Sequence, residues 1–530
     1  MIQGRVSMKF VMSALFALSL ASCTSPETAE LEVLKASIKH GTAIDWYGGT
    51  VEQALAYASE FERPIFVYWG AVWCPPCNEL KSQVFVKDRA NVALKPFVRV
   101  FLDGDSDEAQ RWADRFKVGG YPTMLVLTPD AKEVLRVAES VNVDEFVSII
   151  GQATTRIRPL KDTIEAAAKG DASDEDYRVL AGYSWYDAAD LDVGASSIET
   201  RRKIADAVPT KMPVERAILT ARMLSSAAAV NGDQQTQEVK AAREKIAAST
   251  ERYLTSIFAT NDTVKAARGA IVYDMKEILD WLLPIATAKE TRTTWNSRWN
   301  LALEQIASDK ALSHDLRIMV SLAKLQANGQ TKDMRTSDRK LVESLKAAVQ
   351  FADAQSKTDF ERMAVIPTAA YALQEAGDAS AARDLLNREL KRSKTPWYLY
   401  SSLASLEEKL GNKAAALKFA EKARESVKGK ASRIQWVASD LLMTIRVGMP
   451  QEKKRTVDLT KTFYDSVFSE KDGFDGRNSF RLKAVKKSLT PLNADGEIQT
   501  VIKSAAARCT SVRADAQNKC REHFEGMVAR

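Results

Sequence analysis

Trp73-Cys74-Pro75-Pro76-Cys77 is the segment of this 530-residue chain whose residue types can do chemistry. Two cysteines three positions apart bring their sulfurs together across one turn of helix. At a helix N-terminus the first sulfur sits where unpaired N–H groups and the positive end of the helix dipole converge. That placement favours thiolate over thiol, and thiolate is the attacking species. Cys77 lies on the same face and can displace a mixed disulfide. Proline is well tolerated at the first helical position, but Pro75 and Pro76 both lack an N–H, so Cys74 has fewer amide partners than other intervening residues would give. The pattern assigns Cys74 as nucleophile and Cys77 as resolving cysteine. It requires a Cys74 sulfur that is partly bared, with Trp73 as a lip at the surface.

The other cysteines are Cys23, Cys509 and Cys520. No second pair has zinc spacing, because ten residues separate Cys509 from Cys520. Covalent haem would need a histidine after Cys77, where Asn78 stands. With only three histidines in the chain, no metal and no cofactor is expected. Cys509 and Cys520 would lie about 16 Å apart in one straight helix, whereas a disulfide needs Cα atoms within about 7 Å. A bond between them therefore requires a reversal near Val512 to Asp515, making a stapled helical hairpin. The alternative role for the pair is exchange with Cys74–Cys77 as an internal electron relay.

The elements that must hold the dithiol are legible on either side of it. Val51 to Phe61 has helical spacing, and Pro64 ends it. Ile65 to Trp69 is a short β-branched and aromatic run, hence a buried strand. A helix propagates through Asn78-Glu79-Leu80-Lys81. Phe97 to Asp103 reads as a strand, Asp107 to Phe116 as a helix, and Thr123 to Thr128 and Val134 to Ala138 as strands turned at Pro129-Asp130-Ala131. Val143 to Thr154 closes with a helix. Residues 46–155 are thus expected to form a small layered α/β domain.

The segments ERPIFVYWGAVWCPPCNELKSQVF and FVRVFLDGDSDEAQRWADRFKVGGYPTMLVLTPDAKEV resemble the thioredoxin fold. Within it they resemble the C-terminal domain of the thiol:disulfide interchange protein DsbD and related periplasmic thioredoxin-like domains. The resemblance spans about a fifth of the chain. It implies a cis Pro122 facing the dithiol, and a Tyr121 whose backbone can pair with a bound substrate strand. It also implies thiol–disulfide exchange, in the direction of reducing protein disulfides. One departure is plain: Tyr68 stands where many thioredoxins bury an acid six residues before the first cysteine. Tyrosine does not ionise readily near neutral pH, which leaves Glu79, one turn into the active-site helix, as a substitute proton carrier.

Arg5 and Lys9 precede an apolar stretch from Phe10 to Ala21, too short to span a bilayer at about 20 residues but of signal-peptide size. It ends Leu20-Ala21-Ser22-Cys23, which resembles the lipobox of bacterial lipoproteins. That likeness implies a signal peptide over 1–22, a lipid on Cys23 and a tether over 23–45. Membrane attachment through that lipid places the chain in the periplasm, where disulfides persist. The absence of an aspartate at Thr24 points to the outer rather than the inner membrane.

Residues 156–530 are rich in alanine, leucine, lysine and glutamate. The expected fold is a thioredoxin-like α/β domain followed by an all-α domain. Helices are predicted at Leu160 to Lys169, Glu175 to Trp185, Glu215 to Val230, Glu238 to Ala259, Val264 to Leu282, Trp295 to Ser308, Leu312 to Asn328 and Ser337 to Phe351. Ala370 to Leu390 and Leu403 to Arg424 repeat a helix–turn–helix, with Gly377 and Gly411 34 positions apart. The period and the small residues at the crossing resemble tetratricopeptide repeats, which implies a surface for a protein partner. A helical bundle without a groove is the alternative. The Trp397, Tyr398 and Tyr400 cluster reads as core packing rather than as groove aromatics.

Composition agrees with a multidomain globular chain: 45% hydrophobic, 27% charged, with sparse glycine and proline. A net charge of +7 over this length does not mark a nucleic-acid binder. The sequence thus predicts a lipid-anchored, extracytoplasmic thiol:disulfide oxidoreductase that acts on a protein disulfide substrate or redox partner. The rival is a non-enzymatic interaction protein in which the thioredoxin fold is a docking module.

Overall fold

The computed structural model describes residues 42–155, 157–185, 195–230, 235–329, 338–448, 452–492 and 495–528. The expected signal peptide, Cys23 and most of the tether lie outside them. Four strands form a mixed sheet of order β2-β1-β3-β4: β1 (Ile65–Gly70), β2 (Val98–Asp103), β3 (Thr123–Leu127) and β4 (Glu133–Val137). β1 runs parallel to β2 and antiparallel to β3, and β3 and β4 form a hairpin.

The period-two side-chain alternation of strands divides the domain's apolar residues between two cores. Ile65, Val67 and Trp69 of β1 join Val98, Val100, Leu102, Leu125 and Leu127 on one face. Helices α1 (Val51–Glu60) and α4 (Asp107–Arg115) cover it through Val51, Ala54, Trp112 and Ala113. Phe66, Tyr68, Met124 and Val126 point the other way. There they meet α2 (Pro75–Glu79), which continues as a π-turn over Leu80–Val84, and α5 (Val143–Thr155). A short α3 (Asp88–Ala93), unmarked by the sequence pattern, lies between β1 and β2 in the chain. The domain also begins earlier than residue 46, since Ile44 is buried and the Ala43 N–H donates to the Phe85 carbonyl.

The second apolar face does not end at the domain. Its core continues without a break into the helices that follow, through Tyr177, Leu224, Ile278, Trp299, Ile366 and Leu406. The two halves of the chain therefore share one hydrophobic core.

The predicted helices are present with local breaks. The run from Glu238 is divided at Ala248 and Ser249, and the run from Val264 into three short helices. The two-helix unit repeats in detail. Asp359–Glu375 and Ala379–Leu390 are joined at Gly377, and Pro396–Lys409 and Lys413–Ser426 at Gly411. Both glycines are left-handed, with φ of 92° and 77°. The N–H after each donates to the carbonyl five residues back: Asp378 to Leu373 and Asn412 to Glu407. This is the helix stop that only glycine adopts without strain. Among the described residues no helix is long and apolar enough to cross a membrane.

Candidate functional site

Cys74 caps α2. Its backbone is extended, and its Sγ accepts the Cys77 N–H at 3.2 Å. The two sulfurs are bonded, with Cα atoms 5.2 Å apart. Asn78 fastens the turn by donating Nδ2 to the carbonyls of Val72 (2.9 Å) and Cys74 (2.8 Å). The Tyr121–Pro122 peptide is cis. Thr123, next in the chain, pairs with Trp69, so Pro122 sits at the sheet end where β1 releases the chain towards Cys74.

Cys74 is not bared. It is 2% exposed and Cys77 is fully buried. Both pack with Trp73, Trp397, Ala423 and Trp436, with Tyr121, Tyr398, Tyr400 and Val427 around them. The covering residues come from the helices Pro396–Lys409, Lys413–Ser426 and Lys430–Val447. The expected surface lip at Trp73 is likewise buried, with Tyr398 stacked on it at 6.4 Å between ring centres. Trp397, Tyr398 and Tyr400 do pack as core rather than as an open groove: Tyr400 stacks on Phe419 of the paired helix (6.3 Å between ring centres), and Trp397 and Tyr398 pack with the dithiol. They close over the dithiol. A sequence period shows that a helix has an apolar face, and it does not name the surface that face meets.

Charged residues unmarked by the sequence pattern line the same junction. The Trp73 Nε1 donates to Asp105 Oδ2 at 3.0 Å, and Ser432 Oγ donates to Asp105 Oδ1. Burial pushes the Asp105 carboxyl up, against the pull of these two bonds. Arg477 lays its guanidinium over the Trp73 ring (4.8 Å) and the Tyr121 ring (5.0 Å). Burial pushes Arg477 down and, together with Arg477's own charge, pushes Arg481 down to about 10. Tyr121 is tied on its far side, its hydroxyl donating to the Gly104 carbonyl and accepting from Gln110 Nε2.

The helix that carries Arg477, Gly476–Leu489, is docked on α4 by close approach and by charge. The Gly476 N–H donates to Asp114 Oδ1 at 3.3 Å, and a Cβ at Gly476 would stand 2.7 Å from the Gln110 carbonyl. Lys519 bridges Asp114 (2.7 Å) and Asp475 (2.6 Å). Burial opposes ionisation of Asp114, but Lys519 and the Gly476 N–H hold it below the usual carboxylate value.

The proton carriers stand as follows. Tyr68 is fully buried among Trp46, Phe85 and Phe101, with no hydrogen-bond partner for its hydroxyl among the described residues, and burial drives its pKa far up. Glu79 also has a raised pKa, through burial first and then the neighbouring carboxylate of Asp315 in the helix His314–Ala327. Its electrostatic partner thus lies in the helical half. Lys81, one turn beyond Cys77, is a buried cation between the rings of Phe101 (5.6 Å) and Phe360 (5.9 Å), and burial lowers its pKa.

Cys509 and Cys520 are bonded, with Cα atoms 5.6 Å apart. Two 3-10 turns, Arg508–Ser511 and Ala514–Ala516, reverse the chain between them. Cys509 borders a surface cleft of about 460 Å³ that none of the residues around Cys74 line. Among the described residues no group of three or more His, Cys, Asp or Glu side chains could hold a metal ion.

Residues 45–129 match the thioredoxin-like family model. A thioredoxin H-type protein of Brassica campestris is 32% identical over 105 residues, which are 20% of this chain and 77% of that protein. The chain belongs to the thioredoxin-like family. Thioredoxin H3 of Arabidopsis thaliana is 34% identical over 86 residues, 16% of this chain and 64% of that protein's length. A thioredoxin from Thermus thermophilus, known from its solution structure, shares 31% identity over 21% of this chain and 85% of its own, with a TM-score of 0.19.

Proposed function

We propose that the thioredoxin-like domain carries out thiol–disulfide exchange through Cys74 and Cys77. The observation that carries the reading is the bonded pair at the start of α2, with the Cys77 N–H on Cys74 Sγ, in a domain of this family. In the reducing direction the Cys74 thiolate attacks one sulfur of a substrate disulfide. A Cys74–substrate bond forms and the other substrate sulfur leaves as thiolate. Cys77 then gives up its proton and attacks Cys74. The Cys74–Cys77 bond forms, and the second substrate sulfur leaves. Two electrons have passed to the substrate, and a dithiol donor must return them.

The burial of Cys74 favours a second reading, in which the domain is a docking module for the helices. Insulin reduction by wild type and by Cys74→Ser decides between them. Exchange predicts a wild-type rate that Cys74→Ser abolishes; equal and negligible rates establish the docking module. If exchange holds, the helices over Cys74 must part or breathe for a protein substrate to enter.

The address read from the first 23 residues supports an extracytoplasmic, lipid-anchored protein, held in the outer membrane by acyl chains on Cys23. Mass spectrometry of the mature N-terminus tests it: a chain that starts at a lipid-modified Cys23 is expected, and a chain retaining residues 1–22 rules it out. The DsbD likeness supports reduction of periplasmic disulfides. The two-helix repeat supports a partner-binding role for the helical half, on surfaces other than the one turned to Cys74.

A further inference from the structure

Pro75 and Pro76 deny Cys74 two amide donors, and Cys77 alone supplies one. A buried sulfur with so little help ionises poorly, since burial disfavours the charged form. Yet the surroundings of this sulfur carry positive charge and unused donors. Arg477 crosses the ring of Trp73, the residue before Cys74, and the ring of Tyr121, the residue before Pro122. These two rings pack in the same cluster as both sulfurs. The guanidinium is held by ring faces, and Asp105 acts on it through space. Trp397 and Trp436, in the same cluster as Cys74, bury indole N–H groups with no hydrogen-bond partner among the described residues. A buried donor left unmatched costs about 1–3 kcal/mol. An anionic sulfur is an acceptor, and a cation beside a cysteine favours its thiolate.

We propose that Arg477, supplied by the helical half, is a positioning residue of the dithiol site that holds the reduced Cys74 sulfur as its thiolate. The inference rests on the exchange reading for its purpose and not for its measurement. When a dithiol donor reduces the pair, the Cys74–Cys77 bond breaks, two electrons enter, Cys77 takes one of the donor's protons and the other passes to solvent, while Cys74 remains anionic among the rings that hold Arg477. The donor leaves as a disulfide. By stabilising the reduced form, Arg477 makes the pair easier to recharge. Among the described residues, the other charged or ionisable groups facing this sulfur's surroundings are Asp103 at the end of β2, Asp105 after it, Tyr121 before β3, Tyr398 and Arg481 from the helices, and Lys81 beyond α2.

The test is the thiolate absorbance of Cys74 at about 240 nm against pH, in the full chain carrying Cys77→Ser, with a Cys74→Ser, Cys77→Ser blank subtracted. Arg477→Gln is expected to raise the midpoint by about one pH unit, and Arg477→Lys to restore part of the shift. Asp105→Asn, which removes the opposing acid, is expected to lower the midpoint. In the unsubstituted dithiol, Arg477→Gln is expected to lower the reduced fraction at equilibrium with glutathione by up to about tenfold. An unchanged midpoint in Arg477→Gln overturns the proposal, whatever the substitution does to stability. Should Arg477→Gln fail to fold, the sign of the Asp105→Asn shift decides alone: downward supports the charge argument, and no shift or an upward one ends it. None of these measurements needs a substrate, so a chain inactive on insulin loses the exchange reading while this assignment is judged separately.

Discussion

The two disulfides of this chain are both buried, and they are buried by different things. Cys74 and Cys77 are covered by Trp397, Ala423 and Trp436, more than 300 positions away in the chain. Cys509 and Cys520 are covered by Ile498, Ile502, Phe524 and Met527, their own hairpin and its neighbours. The first can be uncovered by lifting the helices Pro396–Lys409, Lys413–Ser426 and Lys430–Val447 off Cys74, with each helix intact. The second is packed by its own hairpin and borders a surface cleft at Cys509, so no distant element has to move to reach it. Burial alone therefore does not distinguish a structural disulfide from a chemical one; what must move to expose it does.

The largest expected contrast comes from removing the bonds. Cys74→Ser is expected to abolish exchange with insulin and to lower stability by about 2 kcal/mol on the loop-entropy model, less than the longer loop below. Cys509→Ser with Cys520→Ser is expected to leave the exchange rate unchanged and to lower stability by about 3 kcal/mol on the loop-entropy model. Urea midpoints beside insulin turnover check both. A loss of exchange in the Cys509, Cys520 double variant would erase the distinction and restore the internal relay between the pairs.

Next is the cover itself. Replacing a buried tryptophan by alanine costs about 3–5 kcal/mol, and at Trp436 part of that falls on the contact between the halves. Reduction of Cys74–Cys77 by dithiothreitol is expected to quicken at least about tenfold in Trp436→Ala, each 1.4 kcal/mol being a factor of ten. Reduction of Cys509–Cys520 is expected to stay as it was. Equal acceleration at both bonds would mean that the variant loosens the whole chain rather than opening one seam.

A smaller effect belongs to the Asp105 junction. Ser432→Ala removes one hydrogen bond to a half-buried carboxylate and leaves the packing intact. At about 1 kcal/mol for such a bond, Cys74–Cys77 should be reduced about fivefold faster. An unchanged rate would show that Asp105 orders Trp73 without holding the helices down.

The same contrast explains what the sequence disclosed. The chain order and nearly the bounds of β1 to β4 could be read from short runs of β-branched and aromatic residues, because β1 and β3 are buried along their whole length. The turn carrying Cys74 and Cys77 could be read because its chemistry is local. Gly377 and Gly411 were legible as a repeat because glycine at a helix stop is a local need. α3 was missed, being a single turn and a half with only Ala90 fully buried. The seam was missed entirely. Trp397 and Tyr398 have the same apolar spacing whether they face a neighbouring helix or a disulfide in another domain. Asp105, Ser432 and Arg477 look like ordinary surface residues until the fold brings together positions separated by more than 300 residues. Gly476 carries no signal either, although α4 leaves no room for a side chain there.

The weakest lever on the seam is pH, and its direction follows from the group that crosses it. Lys519 joins Asp475 beside Arg477 to Asp114 on α4. The folded pKa of Asp114 lies below the unfolded one, so its contribution is present above about pH 3.9 and is lost as pH falls through the lower folded value. Lys519 has its pKa raised: burial opposes the shift, and the bonds to Asp114 and Asp475 outweigh it. Its contribution is full below about pH 10.4 and fades as pH rises through the folded value. Docking is therefore tightest between these limits. Both partners are about a third exposed or more, so solvent screening keeps the effect within about 1 kcal/mol. Measured with a phosphine reductant, reduction of Cys74–Cys77 should quicken at the acid edge, and Asp114→Asn should bring the neutral rate up towards the acid one. A wild-type rate that stays flat down to the onset of acid unfolding would place the hold on the seam in its apolar contacts alone.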